Sequence, residues 1–127
     1  MTGNDKRVAY AQLERGIRAL DKTLEVLDSM LLRRDSKEAQ RLEIFASMAE
    51  LNERRRVLDS LVAGFGRSDV TVLPPREFDY LALDQAVLLV NAVSHAPKDI
   101  RSGLHLATTV SDALRTTWEN INLRSTL

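Results

Sequence analysis

Between Tyr10 and Leu31 the chain reads YAQLERGIRALDKTLEVLDSML. Tyr10, Leu13, Ile17, Leu20, Leu24, Leu27 and Leu31 recur there at spacings of 3, 4, 3, 4, 3 and 4. Such a repeat keeps one row of side chains on one side of an α-helix, so the stretch predicts a long helix with an apolar seam of the coiled-coil kind. Val26, Met30 and Leu32 broaden the apolar face toward its end, which implies more than one packing neighbour there. Gly16 lies off the seam and costs about 1 kcal/mol of helix propensity, so the helix must draw its stability from packing.

Immediately after this seam, Arg33 and Arg34 suit the negative end of a helix dipole, and Asp35 with Glu38 forms a capping-box arrangement for a second helix. That helix is expected from Ser36 to Val62, with Gly64 as its stop, presenting Ile44, Phe45, Met48, Leu51, Leu58, Leu61 and Val62. Arg55 interrupts its seam between Leu51 and Leu58. So short a connection makes the two helices antiparallel, an αα-hairpin over residues 5–63 with arms about 40 Å long.

Residues 64–77 form a connecting segment with a rigid Pro74-Pro75 pair. Within it Val70 to Leu73 has extended character, but no second strand candidate is visible, so any pairing is expected with another chain's edge. Pro75 opens a third helix, with Phe78, Leu81, Ala82, Leu88, Leu89, Ala92 and Val93 on one face and Tyr80, Leu83, Val87 and Val90 on another. Being apolar nearly all round, it is expected to be central. Pro97 opens a fourth helix with the seam Ile100, Leu104, Ala107, Ser111, Leu114, Trp118 and Ile121. Gly103, Ala107 and Ser111, four apart, leave room for another helix to approach. From Asn122 onward the chain is expected to fray. The reading is a single all-α domain over 1–127, a four-helix bundle built on a long N-terminal αα-hairpin plus a shorter C-terminal helix pair over 78–121.

Composition narrows the chemistry. The 127 residues hold 18 Lys+Arg, 18 Asp+Glu and no cysteine. Disulfide scaffolds, cysteine zinc sites, iron–sulfur clusters and thiol nucleophiles are excluded. Zero net charge argues against a general polyanion binder. The N-terminus shows no apolar run of signal-peptide length, and the longest apolar stretch, Tyr80 to Val93, is broken by Asp84, Gln85 and Asn91 and falls short of the roughly 20 residues that span a bilayer. A cytoplasmic protein with no membrane segment is the expectation.

Three constellations invite chemistry. Asp84, Asn91 and His95 share a stripe of the third helix, and His105, Thr109 and Asp112 make a similar line on the fourth. Two imidazoles with a carboxylate make a metal ligand set, but the spacing matches no local metal signature, so a solvated polar edge is the favoured reading and no metal or cofactor is assigned. Arg54, Arg55 and Arg56 are consecutive, hence splayed about 100 degrees apart on a helix, while the hairpin register brings Arg15 and Arg18 to the same level. This patch is the basis of an alternative function, a nucleic-acid or phosphate-binding module. Glu50, Glu53, Glu14 and Asp21 neutralise much of it, and Tyr10 and Phe45, the aromatics of this half's helices, are sent inward by periodicity. Gly64-Phe65-Gly66-Arg67-Ser68 lacks the rest of a phosphate-loop motif, and no serine nucleophile elbow is present.

With no catalytic motif, the favoured function is a non-catalytic interaction protein: an adaptor, assembly factor or chaperone-like subunit, binding a protein partner or a second copy of itself as a homodimer. Its expected contact residues are the seam Leu13, Ile17, Leu20, Leu24, Leu27 and Leu31, together with Val70 and Val72. The seam's partner in the hairpin is flawed at Arg55, which implies that something further must cover it.

Overall fold

A computed structural model describes residues 3–32, 37–65, 70–72, 77–93, 100–118 and 123–125. Four helices, α1 (Gly3–Leu31), α2 (Glu38–Phe65), α3 (Glu77–Val93) and α4 (Ile100–Trp118), form an all-α four-helix bundle, accompanied by two short strands, β1 (Val70–Val72) and β2 (Leu123–Ser125). Cross-helix contacts give the directions. Arg41 Nη2 donates to the Leu31 carbonyl at 3.2 Å and Arg55 pairs with Asp21, so α1 and α2 are antiparallel. Arg15 pairs with Asp84, while Lys22 and Asn91 line one groove, so α3 runs parallel to α1. Met30 lies over Gly103, and Leu114 and Trp118 lie beside Gly16, so α4 runs antiparallel to α1. The bundle alternates up, down, up, down.

α1 and α4 pack on each other and on both remaining helices, whereas α2 and α3 occupy opposite flanks. This overturns the expectation that the third helix is central. Leu83, Ala86 and Val90 of α3 are buried, but Leu81 and Leu88 are 54% and 68% exposed. The central element is α4, which buries Gly103, Leu106, Ala107, Val110, Ser111, Ala113, Leu114, Thr117 and Trp118. Small residues decide this. Gly103, Ala107 and Ser111 let neighbouring helices approach where large side chains would hold them off, and Met30 fills the space over Gly103.

The seam of α1 sits slightly rotated from its expected position. Leu13, Leu20 and Leu27 are fully buried, but Ile17, Leu24 and Leu31 lie at the core's edge. The row that alternates with them in the core is Ala9, Gly16, Thr23 and Met30, and Ala19 and Val26 are buried as well. Apolar bulk alone favours the row with Ile17 and Leu24, yet α4 needs small residues where it comes closest. A Cβ at Gly16 would stand 2.9 Å from Leu114 Cδ2. Tyr10 is therefore displaced by Ala9 and is 37% exposed rather than inward.

α2 begins at Glu38, with the Lys37 backbone N–H donating to Gln40 Oε1 at 3.1 Å and the Arg41 N–H donating to the Lys37 carbonyl at 3.0 Å. The Gln40 side chain thus reaches back to cap the first turn of this helix; Arg33, Arg34 and Asp35, and with them the expected Asp35–Glu38 capping box, lie outside the described residues. Gly64 does not stop α2. The helix continues through it to Phe65, and Gly64 keeps an ordinary negative φ.

Val70–Val72 is extended as expected, but its partner is inside the chain. β1 pairs antiparallel with β2, in register Val70 with Ser125, Thr71 with Arg124 and Val72 with Leu123. The C-terminal segment expected to fray therefore holds a strand that ties down the connection between α2 and α3.

Candidate functional site

The residues assigned to partner binding are distributed by the fold in a way that closes the seam. Leu13, Leu20 and Leu27 are 0% exposed and Ile17, Leu24 and Leu31 pack against the core, so α4, together with α2 and α3, supplies the cover that Arg55 denies. An apolar surface this deeply enclosed offers nothing to a second chain without opening the bundle. Val70 and Val72 pair with Ser125 and Leu123 of β2 along one edge of β1, so the partner of that edge lies within the chain.

The arginine patch is divided between separate surfaces. Arg55 bridges from α2 to Asp21 of α1 and donates from Nε to Asp59 Oδ1 at 3.1 Å. Its guanidinium pKa is raised from the ordinary value, first by the hydrogen bond to Asp21 and then by the charges of Asp21 and Asp59, against an opposing cost of burial. Arg56 pairs with Glu53 at 3.0 Å on an exposed face. Arg54 is half-buried and lines a cavity of about 20 Å³ with Leu58, Leu114 and Trp118, a space for one water rather than a ligand. Its Nε and the Trp118 Nε1 are buried without acceptors. Arg15 and Arg18 face α3 instead, and Arg15 is paired with Asp84. Five arginines near one level in sequence do not make one electropositive face.

The polar lines of α3 and α4 also separate. Asp84 is engaged by Arg15, Asp112 pairs with Arg115 at 3.3 Å, and His105 is exposed. His95 lies outside the described residues. Among the described residues no group of three or more His, Asp or Glu is placed to hold a metal ion. No described helix is long and apolar enough to cross a membrane.

Two exposed apolar features were not singled out by sequence reasoning. On α2, Leu42 and Phe45 are 64% and 55% exposed, so Phe45, expected inward, points out beside the buried Ile44. On α3 the outer row is Leu81, Gln85, Leu88 and Ala92, all exposed. From Tyr80 to Val93 its one charged side chain is Asp84, already bound to Arg15. The signal was present in the sequence: Leu81 and Leu88 stand one heptad apart on a helix with too little polarity to show solvent a polar face. Periodicity alone reads it as burial, because an all-apolar helix is usually central. The groove between α1 and α3 was also missed, because Lys22, Val87, Val90 and Asn91 converge only once the two helices are placed side by side.

No family model, curated protein or solved structure matches this chain.

Proposed function

We propose that this chain is a non-catalytic helical interaction protein, an adaptor, assembly factor or chaperone-like subunit of the cytoplasm, that docks through the outer face of α3 and not through the α1 seam. The observation that carries this reading is the exposed pair Leu81 and Leu88, one heptad apart on an outer row that contains no charge. Isolated exposed leucines are ordinary, but an aligned, uncharged helical row is the composition of a helix–helix contact. The occupant that fits best is a second copy of the chain. In an antiparallel two-fold pairing of α3 with itself, Leu81 meets Leu88 of the partner subunit and Gln85 lies close to the axis, so the same patch serves both copies.

The alternative, a nucleic-acid or phosphate-binding module using Arg15, Arg18, Arg54, Arg55 and Arg56, has less support, because Arg15, Arg55 and Arg56 are already paired with carboxylates. The test of the favoured reading is sedimentation across micromolar concentrations. The expected result is a reversible dimer that the Leu81→Gln, Leu88→Gln variant converts to monomer with its helical content intact. A wild-type chain that remains monomeric at about 100 µM, far above the concentration at which a micromolar complex forms, rejects self-association through this face.

A further inference from the structure

Beside the docking face, and independent of it, α1 and α3 enclose a groove of about 260 Å³. Its rim on α1 carries Arg15, Arg18 and Lys22, its apolar wall is Val87 and Val90, and Asn91 adds an amide at one end. The three cations are not equivalent. Arg15 is fixed by Asp84 and also donates to Gln12 Oε1 at 3.3 Å. Arg18 and Lys22 have no hydrogen bond or ion pair among the described residues. Asp21, the carboxylate adjoining Lys22 in sequence, is held by Arg55.

Arg15 is committed to Asp84, so Arg18 and Lys22 are the two cations of the groove's rim that carry no ion pair among the described residues. Arg18 and Lys22 stand four residues apart and hence on one side of α1. A guanidinium fork and an ammonium one turn away form a complementary pair of donors for a phosphate, the fork taking two oxygens and the ammonium a third as a point charge. The valine wall beneath them favours a compact apolar body attached to that phosphate. The volume is slightly below the range of about 300–1,000 Å³ found for drug-sized sites, which sets the ligand's size. We propose that the α1–α3 groove binds a small soluble phosphate monoester, with Arg18 and Lys22 holding the dianionic phosphate, Asn91 contributing an amide hydrogen bond, and Val87 and Val90 packing on the organic part.

A dianion offers a charge to each of Arg18 and Lys22, whereas a carboxylate or a phosphodiester carries a single charge. The full chain is titrated with phenyl phosphate, benzoate and phenol while the Val87 and Val90 methyl resonances are followed. Phenyl phosphate should give saturable shifts at both valines, benzoate should bind more weakly and phenol not at all. Arg18→Gln and Lys22→Gln should each weaken phenyl phosphate by about tenfold, the scale of one charge-assisted hydrogen bond. Arg56→Gln, which changes the net charge equally but away from the groove, should leave it unchanged.

Both groove substitutions lie at exposed side chains, so an unchanged melting temperature separates lost binding from lost fold. Absence of saturation, equal binding of benzoate, or equal weakening by Arg56→Gln overturns the assignment. Binding to vesicles that carry phosphatidic acid, without binding to phenyl phosphate, overturns the soluble source. The Leu81→Gln, Leu88→Gln variant should keep full phenyl phosphate affinity, so failure of the dimer and failure of the groove are read separately.

Discussion

Thr23 is fully buried in α1, and its hydroxyl donates to the Ala19 carbonyl one turn back at 2.8 Å. That local bond lets a polar residue occupy a position of closest approach without an orphaned donor. Leu24, beside it and more apolar, is left at the edge. The consequence is measurable. Leu20→Ala should cost about 2–5 kcal/mol, the range for emptying a fully packed site, and Leu24→Ala on the order of 1–2 kcal/mol. Urea unfolding of the two variants checks this, and equal losses would return the seam to the row read from bulk alone. Met30 and Gly103 give a second residue-level case, since a Cβ at residue 103 would stand 2.2 Å from Met30 Sδ. Gly103→Ala should therefore meet an overpacking cost of about 1–3 kcal/mol, offset by about 1 kcal/mol of gained helix propensity, for a net loss of about 0–2 kcal/mol. Combined with Met30→Ala it should cost less than the sum of the two single losses by about 1 kcal/mol, because the new methyl enters space that the shortened side chain vacates. Strict additivity in a double-mutant cycle would show that the two do not share that space. Arg55 supplies the electrostatic counterpart. Its folded pKa is raised, so its contribution is fully present below the unfolded value and is lost only as pH rises through the still higher folded value. From about pH 6 to 9 the stability difference between wild type and Arg55→Gln should then be flat, and small, since the Arg55 and Asp21 side chains remain about 33% and 49% exposed. A difference that shrinks through neutral pH would assign the effect to another group.

At the level of elements, what could be read in advance follows from how local each signal is. The four helices, the hairpin and the close approach at Gly103, Ala107 and Ser111 were legible, because helix periodicity and small-residue spacing are contained within one segment. The placement of α3 was not. Its composition fits a central helix and an outer helix with an exposed apolar row equally well, and the choice falls to α4, whose small residues let it pack among all three neighbours. The candidate site fared similarly. The arginines were visible, but whether they form one patch depends on carboxylates from other helices: Asp21 takes Arg55 and Asp84 takes Arg15. The partner of β1 was hidden for a related reason, since three residues near the C-terminus, Leu123–Ser125, carry no strand signature of their own. Their pairing is nonetheless testable. In wild type, the β1 amides that bond to β2 should exchange more slowly than those of an open loop, and removing residues 123–127 should abolish that protection while α1, α2 and α4 keep theirs. Equal exchange of Val70–Val72 in both proteins would mean that β2 does not hold the connection.

For the molecule as a whole, burial of the α1 seam and exposure of the α3 row are two sides of one arrangement. Because α4 takes the centre and covers Leu13, Leu20 and Leu27, α3 is left on a flank, covered from one side only. The apolar surface that the sequence carries in excess of its internal needs is thereby moved from the first helix to the third. With zero net charge there is little long-range repulsion to keep two copies apart. If the α3 faces pair, folding and association are linked, and a species that binds only the folded state raises its apparent stability by mass action. A partner present at about a hundred times its Kd adds about 2.7 kcal/mol, and each kcal/mol moves the melting temperature by a few degrees in a chain of this length. Raising the chain from about 1 to about 100 µM should thus raise Tm by several degrees for a complex of micromolar Kd. Leu88→Gln should remove the concentration dependence while leaving stability at the dilute end within about 0.5 kcal/mol of wild type, as expected for a side chain that supports no internal packing. A Tm independent of concentration in wild type would leave the α3 row without a second copy to cover it. A Leu88→Gln chain that melts early even when dilute would place Leu88 in the bundle's own core instead.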